Sequence, residues 1–398
     1  MTPQVSARAR LMPASPIRRL MPLADAAKQR GVHVYHLNIG QPDIETPPAM
    51  RARLAQIQDR ILAYSPSAGT PEFLEALGEY YRRLGIALGP NELIATTGGS
   101  EALLFALLAI GSEGDEVLVV EPFYTNYQAF ATMAGLRLVA LTARAEHGFH
   151  LPPRESWERA VTPRTRAVLL CNPSNPTGTV YSTEELLGVA EFCRERGLFL
   201  ISDEVYREFV YDGGKATSAL ELRGFESQVI LVDSLSKRYS ACGIRLGALA
   251  TRNPEVHGAC LRMAQARLSP PGLAQAIAVG LTELGPDYIA GILCEYQRRR
   301  DILFEGLSGI PGVFLRKPEG AFYFIARLPI RDSDDFARFL LADFEHEGAT
   351  VMVAPAAGFY ATPGLGLDQV RIAYVLNTTD LEASVGVLAA ALQSYPRT

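Results

Sequence analysis

This sequence predicts an α/β protein: a large domain on a mainly parallel sheet with helices on both faces, and a smaller α+β domain. Three observations carry that expectation. Short Val/Leu/Ile runs at Val117–Val120, Ala167–Cys171, Leu198–Ser202 and Val229–Val232 alternate with helical patterns, as strands buried on both faces of a parallel sheet do. Tyr124, Asn172–Gly178, Asp203 and Lys237 fall at the carboxyl ends of such runs, where ligands collect in these sheets. Near residue 285 the character changes. A long helical stretch, Tyr288–Leu307, carries Arg298, Arg299 and Arg300 and leads into a Gly-punctuated aromatic strand, Lys317–Ile325. The division that follows is an N-terminal segment, 1–40, contributing to the small domain, a large domain, 41–289, and a C-terminal small domain, 290–398.

The 398 residues are 48% hydrophobic and 20% charged, with a net charge of −5; that leaves ample apolar side chain for a core. The mild acidity gives no reason to expect nucleic acid or anionic membrane as a partner. Cys171, Cys193, Cys242, Cys260 and Cys294 are scattered, with no CxxC and no Cys/His cluster. Reduced thiols and a cytoplasmic location are therefore expected, and no metal site. No run is apolar enough to span a membrane. Arg8, Arg10, Arg18 and Arg19 stand near prolines without the apolar stretch of a secretory signal, and this segment is read as part of the mature chain.

In chain order, Ile17–Arg30 places Leu20, Leu23, Ala26 and Ala27 at helical spacing. Leu37–Asp43 takes an irregular path dictated by Gly40 and Pro42. Tyr64–Pro71 is a turn-rich loop before a helix, Glu72–Leu84. Gly98 and Gly99 open an apolar helix; free N–H groups at a helix start make an anion site, and plain helix entry explains the same glycines. Tyr124 ends the strand Val117–Val120, and Arg137–Leu141 is the next strand. Two Asn-Pro steps in Asn172–Gly178 stiffen a turn. Ser182–Glu185 is a capping box and Gly197 a stop, which bounds a helix Ser182–Arg196. Asp203 follows the strand Leu198–Ser202, where a carboxylate either caps the next segment or serves chemistry.

Lys237 lies in Asp233–Gly247, between two apolar runs, with Ser234, Ser236 and Arg245 around it. A buried lysine is unfavourable unless it is paired, shifted in pKa or covalently used. The chain closes with a helix Asp334–Glu347 and strands Val351–Ala354 and Val370–Tyr374. Arg371 sits among apolar residues there, where a buried anion partner suits its guanidinium better than a solvated face.

From about Ser15 to the end, these motifs in this order resemble the pyridoxal-phosphate-dependent aminotransferases of fold type I, class I/II, bacterial aspartate aminotransferases among them. The resemblance implies a seven-stranded sheet in the large domain, pyridoxal 5'-phosphate as cofactor, amino acid and 2-oxo acid substrates, and a homodimer with shared active sites. By it, Lys237 is the Schiff-base lysine and the base that moves the substrate Cα proton. Asp203 pairs with the ring nitrogen, Asn175 and Tyr206 bond the phenolic oxygen, and Tyr124 stacks on the ring. Gly99, Ser100, Glu101, Ser234, Ser236 and Arg245, with Tyr64 of the partner subunit, hold the phosphate. Gly40, Asn175 and Arg371 take the substrate carboxylate. Arg238 and Cys242 depart from the family's commoner wording. Arg267, Arg18 and Arg19 are the candidate cations for a distal carboxylate. Aspartate/glutamate with 2-oxoglutarate is the first expectation. Aromatic, prephenate and alanine-type specificities, a C–S β-lyase and, more remotely, a non-catalytic ligand sensor stay open.

Overall fold

The computed structural model describes residues 2–396. Met1, Arg397 and Thr398, the outermost positions of the 1–40 and 290–398 divisions, lie outside the described residues. The expected amphipathic segment begins as a 3-10 turn, Arg18–Leu20, and becomes the helix Met21–Gln29, which leads to the first strand, His33–His36 (β1).

The central sheet is built from Leu93–Thr96 (β2), Glu116–Glu121 (β3), Arg137–Thr142 (β4), Thr165–Cys171 (β5), Phe199–Asp203 (β6), Val229–Ser234 (β7) and Gly247–Ala250 (β8). Among the described residues these seven strands lie in the order β2-β8-β7-β6-β5-β3-β4. Neighbours from β4 to β7 are parallel; β8 runs antiparallel to both β7 and β2. The expected mainly parallel sheet is present. Every residue of β2, β3, β7 and β8 is buried, which is why these strands read as apolar runs without alternation. The helix Gly98–Ile110 packs across β7 and β8. Ser182 and Glu185 form the predicted capping box and Gly197 is left-handed at φ 65°, bounding the helix Thr183–Arg196.

Later strands are Phe314–Leu315 (β9), Tyr323–Arg327 (β10), Ala349–Met352 (β11), Ala354–Pro355 (β12) and Gln369–Ala373 (β13). β11 pairs in parallel with β1, so the N-terminal segment joins this part of the molecule. The others form an antiparallel sheet ordered β12-β13-β10-β9. The helix Pro286–Ser308 runs unbroken through position 289/290, so the expected division there falls inside one element. Arg298 is exposed, but Arg299 and Arg300 are 5% and 0% exposed. Arg299 reaches Asp43 Oδ1 and the Val375 carbonyl, both at 2.6 Å. Arg300 forks onto Asp212 at 2.7 and 2.9 Å. The expected helix Asp334–Glu347 stops at Ala342, because Asp343, Glu345, His346 and Glu347 are exposed and offer no apolar face to bury.

Candidate active site

The carboxyl ends of β3, β5, β6 and β7 open onto a cavity of about 550 Å³. Lys237, Asp203, Asn175, Tyr124 and Arg371 all line it, although Arg371 comes from the antiparallel sheet. The register explains that last contribution. Ala373 N–H donates to the Leu37 carbonyl at 2.8 Å, which draws β13 alongside Asn38–Gly40.

β7 ends in a tight hydroxyl-braced loop. Ser234 Oγ donates to Ser236 Oγ at 2.9 Å, and Ser236 N–H donates back to Ser234 Oγ at 3.2 Å. From that loop Lys237 Nζ donates to the Gly40 carbonyl at 2.7 Å and stands 3.9 Å from Cys242 Sγ. Behind it, Arg238 is 1% exposed and reaches back to Asp233 Oδ2 at 2.5 Å. Tyr81 donates its hydroxyl to the same oxygen at 2.7 Å, and Arg207 lies 3.7 Å away. Burial pushes Asp233 up, but the guanidiniums of Arg238 and Arg207 outweigh it and hold the carboxyl below its usual range. The departure from family wording at Arg238 is therefore a buried clasp across the lysine loop.

Asp203, the last residue of β6, has a different setting. It accepts the Tyr127 hydroxyl at 2.6 Å and Val205 N–H at 3.3 Å, and no lysine or arginine pairs with it among the described residues. Burial raises it to about 6, against the lowering effect of the Tyr127 hydrogen bond. A buried carboxylate short of a cation, facing a cavity, suits a protonated ring nitrogen.

Arg371 is its complement. Nη1 donates to Asn175 Oδ1 at 3.2 Å and Nη2 to the Asn38 carbonyl at 2.6 Å. Nε is buried with no partner, and no carboxylate pairs with the group among the described residues. Its guanidinium carbon lies 4.5 Å from the Tyr323 ring centroid and 5.0 Å from that of Phe359. Burial lowers its pKa from the ordinary arginine value. Such a cation calls for an anion from outside the chain.

At the other end of the cavity, Gly99 and Ser100 stand in the first turn of the helix Gly98–Ile110, whose N–H groups have no partners within the helix. A Cβ on Gly98 would lie 2.7 Å from Arg245 Nη2, and one on Gly247 2.5 Å from the Asp233 carbonyl. Close backbone approach is built into this corner, and Arg245 has no acid partner there among the described residues. Gly40 is equally constrained: a Cβ would fall 1.6 Å from the Tyr323 hydroxyl. Tyr124 accepts from Asn126 Nδ2 at 2.8 Å and packs edge-on against Tyr127.

Two of the expected site residues do not line the cavity. Glu101 turns its carboxylate to Thr97 N–H at 2.8 Å and to Arg267 Nη1 at 2.6 Å. Its carboxylate is therefore closed onto the N-cap N–H and Arg267 and not directed into the cavity. Tyr64 is 80% exposed in a loop outside the cavity. Among the candidate distal cations, Arg267 is held by Glu101 and the Ser67 carbonyl, and Arg19 pairs with Asp334. Arg18 lines the cavity mouth with no acid partner among the described residues.

Sequence reading missed Tyr323 and Tyr127. Phe322-Tyr323-Phe324 reads as core, and the signal available was a hydroxyl inside an otherwise apolar strand. Tyr127 stands three residues after Tyr124, across the turn that opens the helix Asn126–Ala134, where its N–H donates to the Tyr124 carbonyl at 2.9 Å.

The pattern of the family described as aminotransferase class I and II matches residues 32–386. The chain belongs to that family. A probable aspartate/prephenate aminotransferase of Aquifex aeolicus is 32% identical, covering 95% of this chain and 96% of that protein. An aspartate aminotransferase of Geobacillus stearothermophilus is 30% identical, covering 91% and 92%. Among solved structures, an aspartate aminotransferase of Thermotoga maritima superposes with a TM-score of 0.90 at 27% identity, covering 98% of this chain and 100% of that one. One from Thermus thermophilus with maleate gives 0.87 at 30% identity, covering 98% and 100%. This aminotransferase shares their fold through nearly its whole length.

Proposed function

We propose that this aminotransferase uses pyridoxal 5'-phosphate to move the amino group of aspartate or glutamate to a 2-oxo acid such as 2-oxoglutarate. One observation carries the reading: Arg371 is a buried guanidinium beside Asn175 with an unpartnered Nε and no acid in reach among the described residues. An α-carboxylate supplies the missing anion, held in the bidentate geometry that guanidinium favours. The residues also fit the cofactor, since Asp203 lacks a cation and the Gly98–Gly247 corner offers N–H groups and Arg245 to a phosphate.

When bound, the cofactor supplies an aldehyde carbon for an amine and an electron-withdrawing ring. Lys237 would be the amine that holds it and the base that takes the substrate Cα proton. Asp203 keeps a proton on the ring nitrogen. Tyr206 and Asn175, which line the same cavity, would donate to the phenolic oxygen, and Tyr124 would pack on the ring. Gly99, Ser100, Ser234, Ser236 and Arg245 anchor the phosphate, with the backbone of Glu101. Gly40, against Tyr323, leaves room for the substrate carboxylate. Arg18 takes the distal carboxylate; the relatives' names support aspartate, and also prephenate, which carries two carboxylates as well.

A homodimer completes the site through Tyr64 of the partner subunit. Exposed Ile61, Leu62, Tyr64 and Leu268 support this reading. Ser67 Oγ donates to the Leu268 carbonyl at 2.6 Å and so ties their loops together; an apolar face of that kind suits a second copy. The free thiols support a cytoplasmic location. A helix break near Gly285, with β1 joined to β11, supports a two-domain division.

The test adds aspartate, glutamate, phenylalanine, alanine and cystathionine singly to the cofactor-loaded protein, without acceptor. Loss of the visible absorption band with aspartate and glutamate is expected. Response to phenylalanine or alanine alone overturns the substrate, pyruvate from cystathionine reveals a lyase, and no visible band overturns the function.

A further inference from the structure

Tyr323 touches three residues given separate tasks above. Its ring lies 4.5 Å from the Arg371 guanidinium. Its hydroxyl is 3.0 Å from the Tyr206 hydroxyl. The same hydroxyl occupies the space a Cβ on Gly40 would need, and the Gly40 carbonyl accepts from Lys237 Nζ. The side chain is 2% exposed and edge-on to the Tyr206 ring at 5.6 Å, so its position is fixed by packing.

Resting on the reading above, we propose that Tyr323 is a positioning residue: its ring holds Arg371 flat for the substrate carboxylate, and its hydroxyl orients the Tyr206 proton toward the cofactor's phenolic oxygen. The two halves follow from geometry. Arg371 has hydrogen-bond partners on only two of its nitrogens, and the rings of Tyr323 and Phe359 stand 4.5 and 5.0 Å from its guanidinium carbon. Each phenol has a single proton. If Tyr206 directs its proton to the phenolic oxygen, the hydrogen bond between the tyrosines is donated by Tyr323, and a donor at its oxygen makes Tyr206 the stronger donor. Tyr124, Cys171 and Arg371 are the other titratable groups facing Tyr206, and no carboxylate stands between the two phenols to take either proton.

Tyr323→Phe removes the hydroxyl and keeps the ring; Tyr323→Leu removes both. In the phenylalanine variant Tyr206 supports the ionised oxygen less well. The lysine–cofactor nitrogen beside that oxygen then keeps its proton to higher pH. The pH midpoint of the visible band should rise by roughly half to one unit, the equivalent of one lost hydrogen bond. Maleate, a dicarboxylate without an amino group, should bind as before. In the leucine variant maleate binding, followed by calorimetry, should weaken roughly three- to thirtyfold, the range of a lost cation–π contact.

An unmoved midpoint in Tyr323→Phe overturns the hydroxyl's part. Maleate bound equally by both variants overturns the ring's part. Should Tyr323→Leu fail to fold, the phenylalanine variant still decides the first point, and Tyr323→Trp, which restores a ring, decides the second. Absence of any visible band in the parent protein would instead mean that the functional reading itself fails.

Discussion

Replacing Arg238 with methionine isolates the clasp behind the lysine. Arg238 is fully buried, 2.5 Å from Asp233 Oδ2 and 4.3 Å from the Tyr80 ring centroid. Methionine keeps most of the apolar volume, so the principal loss is the cation facing Asp233. Removing one member of a buried ion pair costs about 3–5 kcal/mol. Asp233 retains the Tyr81 hydroxyl, Ser234 N–H and a more distant Arg207, which places the effect near the lower end, about 3 kcal/mol. For a chain of this length that is roughly 3–5 °C in Tm.

The assay is thermal melting of the cofactor-loaded enzyme at neutral pH. A control is Arg83→Met, which removes an exposed pair to Glu79 worth under about 1 kcal/mol. The pH course has a definite sign. Asp233 is held below its ordinary value in the fold, so its contribution stands above the unfolded pKa and is lost as pH falls through the folded one. The gap between parent and Arg238→Met should therefore narrow toward acid. A methionine variant that melts within about 1 °C of the parent, or a gap that widens toward acid, would refute the reasoning.

Lys237→Ala should lower turnover at least about 10⁴-fold with loss of the visible band, while circular dichroism stays that of the parent; retained activity sinks the assignment. Asp203→Asn should reduce turnover by about 10²-fold or more. In the cofactor-free chain it should also flatten the pH course of melting. Burial raises Asp203 to about 6, so its stabilising share is present at low pH and lost as pH rises through that value. Equal slopes in parent and variant contradict this. Arg18→Ala should raise KM for aspartate roughly five- to tenfold and leave alanine unchanged, as expected for one charge pair at a solvent-facing mouth; Arg267→Ala should lower Tm without that selectivity.

The sheet was legible because most of its strands are buried on both faces and therefore read as short apolar runs between helices. Lys237, Asp203, Asn175 and Arg371 were legible for a related reason, being polar residues placed where apolar ones end or, for Arg371, where they continue. The arginines at 299 and 300 were not. Their partners Asp43, Val375, Asp212 and Pro318 lie far away along the chain, and local sequence carries no mark of them. Tyr323 was hidden for the opposite reason. An aromatic in an aromatic strand looks like core, and only the pairing of β10 with β13 shows that its ring faces an arginine.

Buried charge in this molecule is of two kinds, and the difference separates framework from chemistry. Glu204 accepts from Ser202, Ser218, Ala219 N–H and Arg207; Asp233 accepts from Ser234 N–H, Tyr81 and Arg238. Their cations answer them within the chain, and the cluster joins the loop bearing Asp203 and Tyr206 to the loop bearing Ser234, Ser236 and Lys237. Asp203 and Arg371 have no such answer among the described residues, and both face the one cavity. Leaving two opposite charges apart and uncompensated in a low-dielectric site is unfavourable for the empty protein. That penalty is relieved when a ligand brings a cation to Asp203 and an anion to Arg371. The unmatched charges thus define the polarity of what binds, positive toward β6 and negative toward β13, and the compensated ones hold the two ends in place.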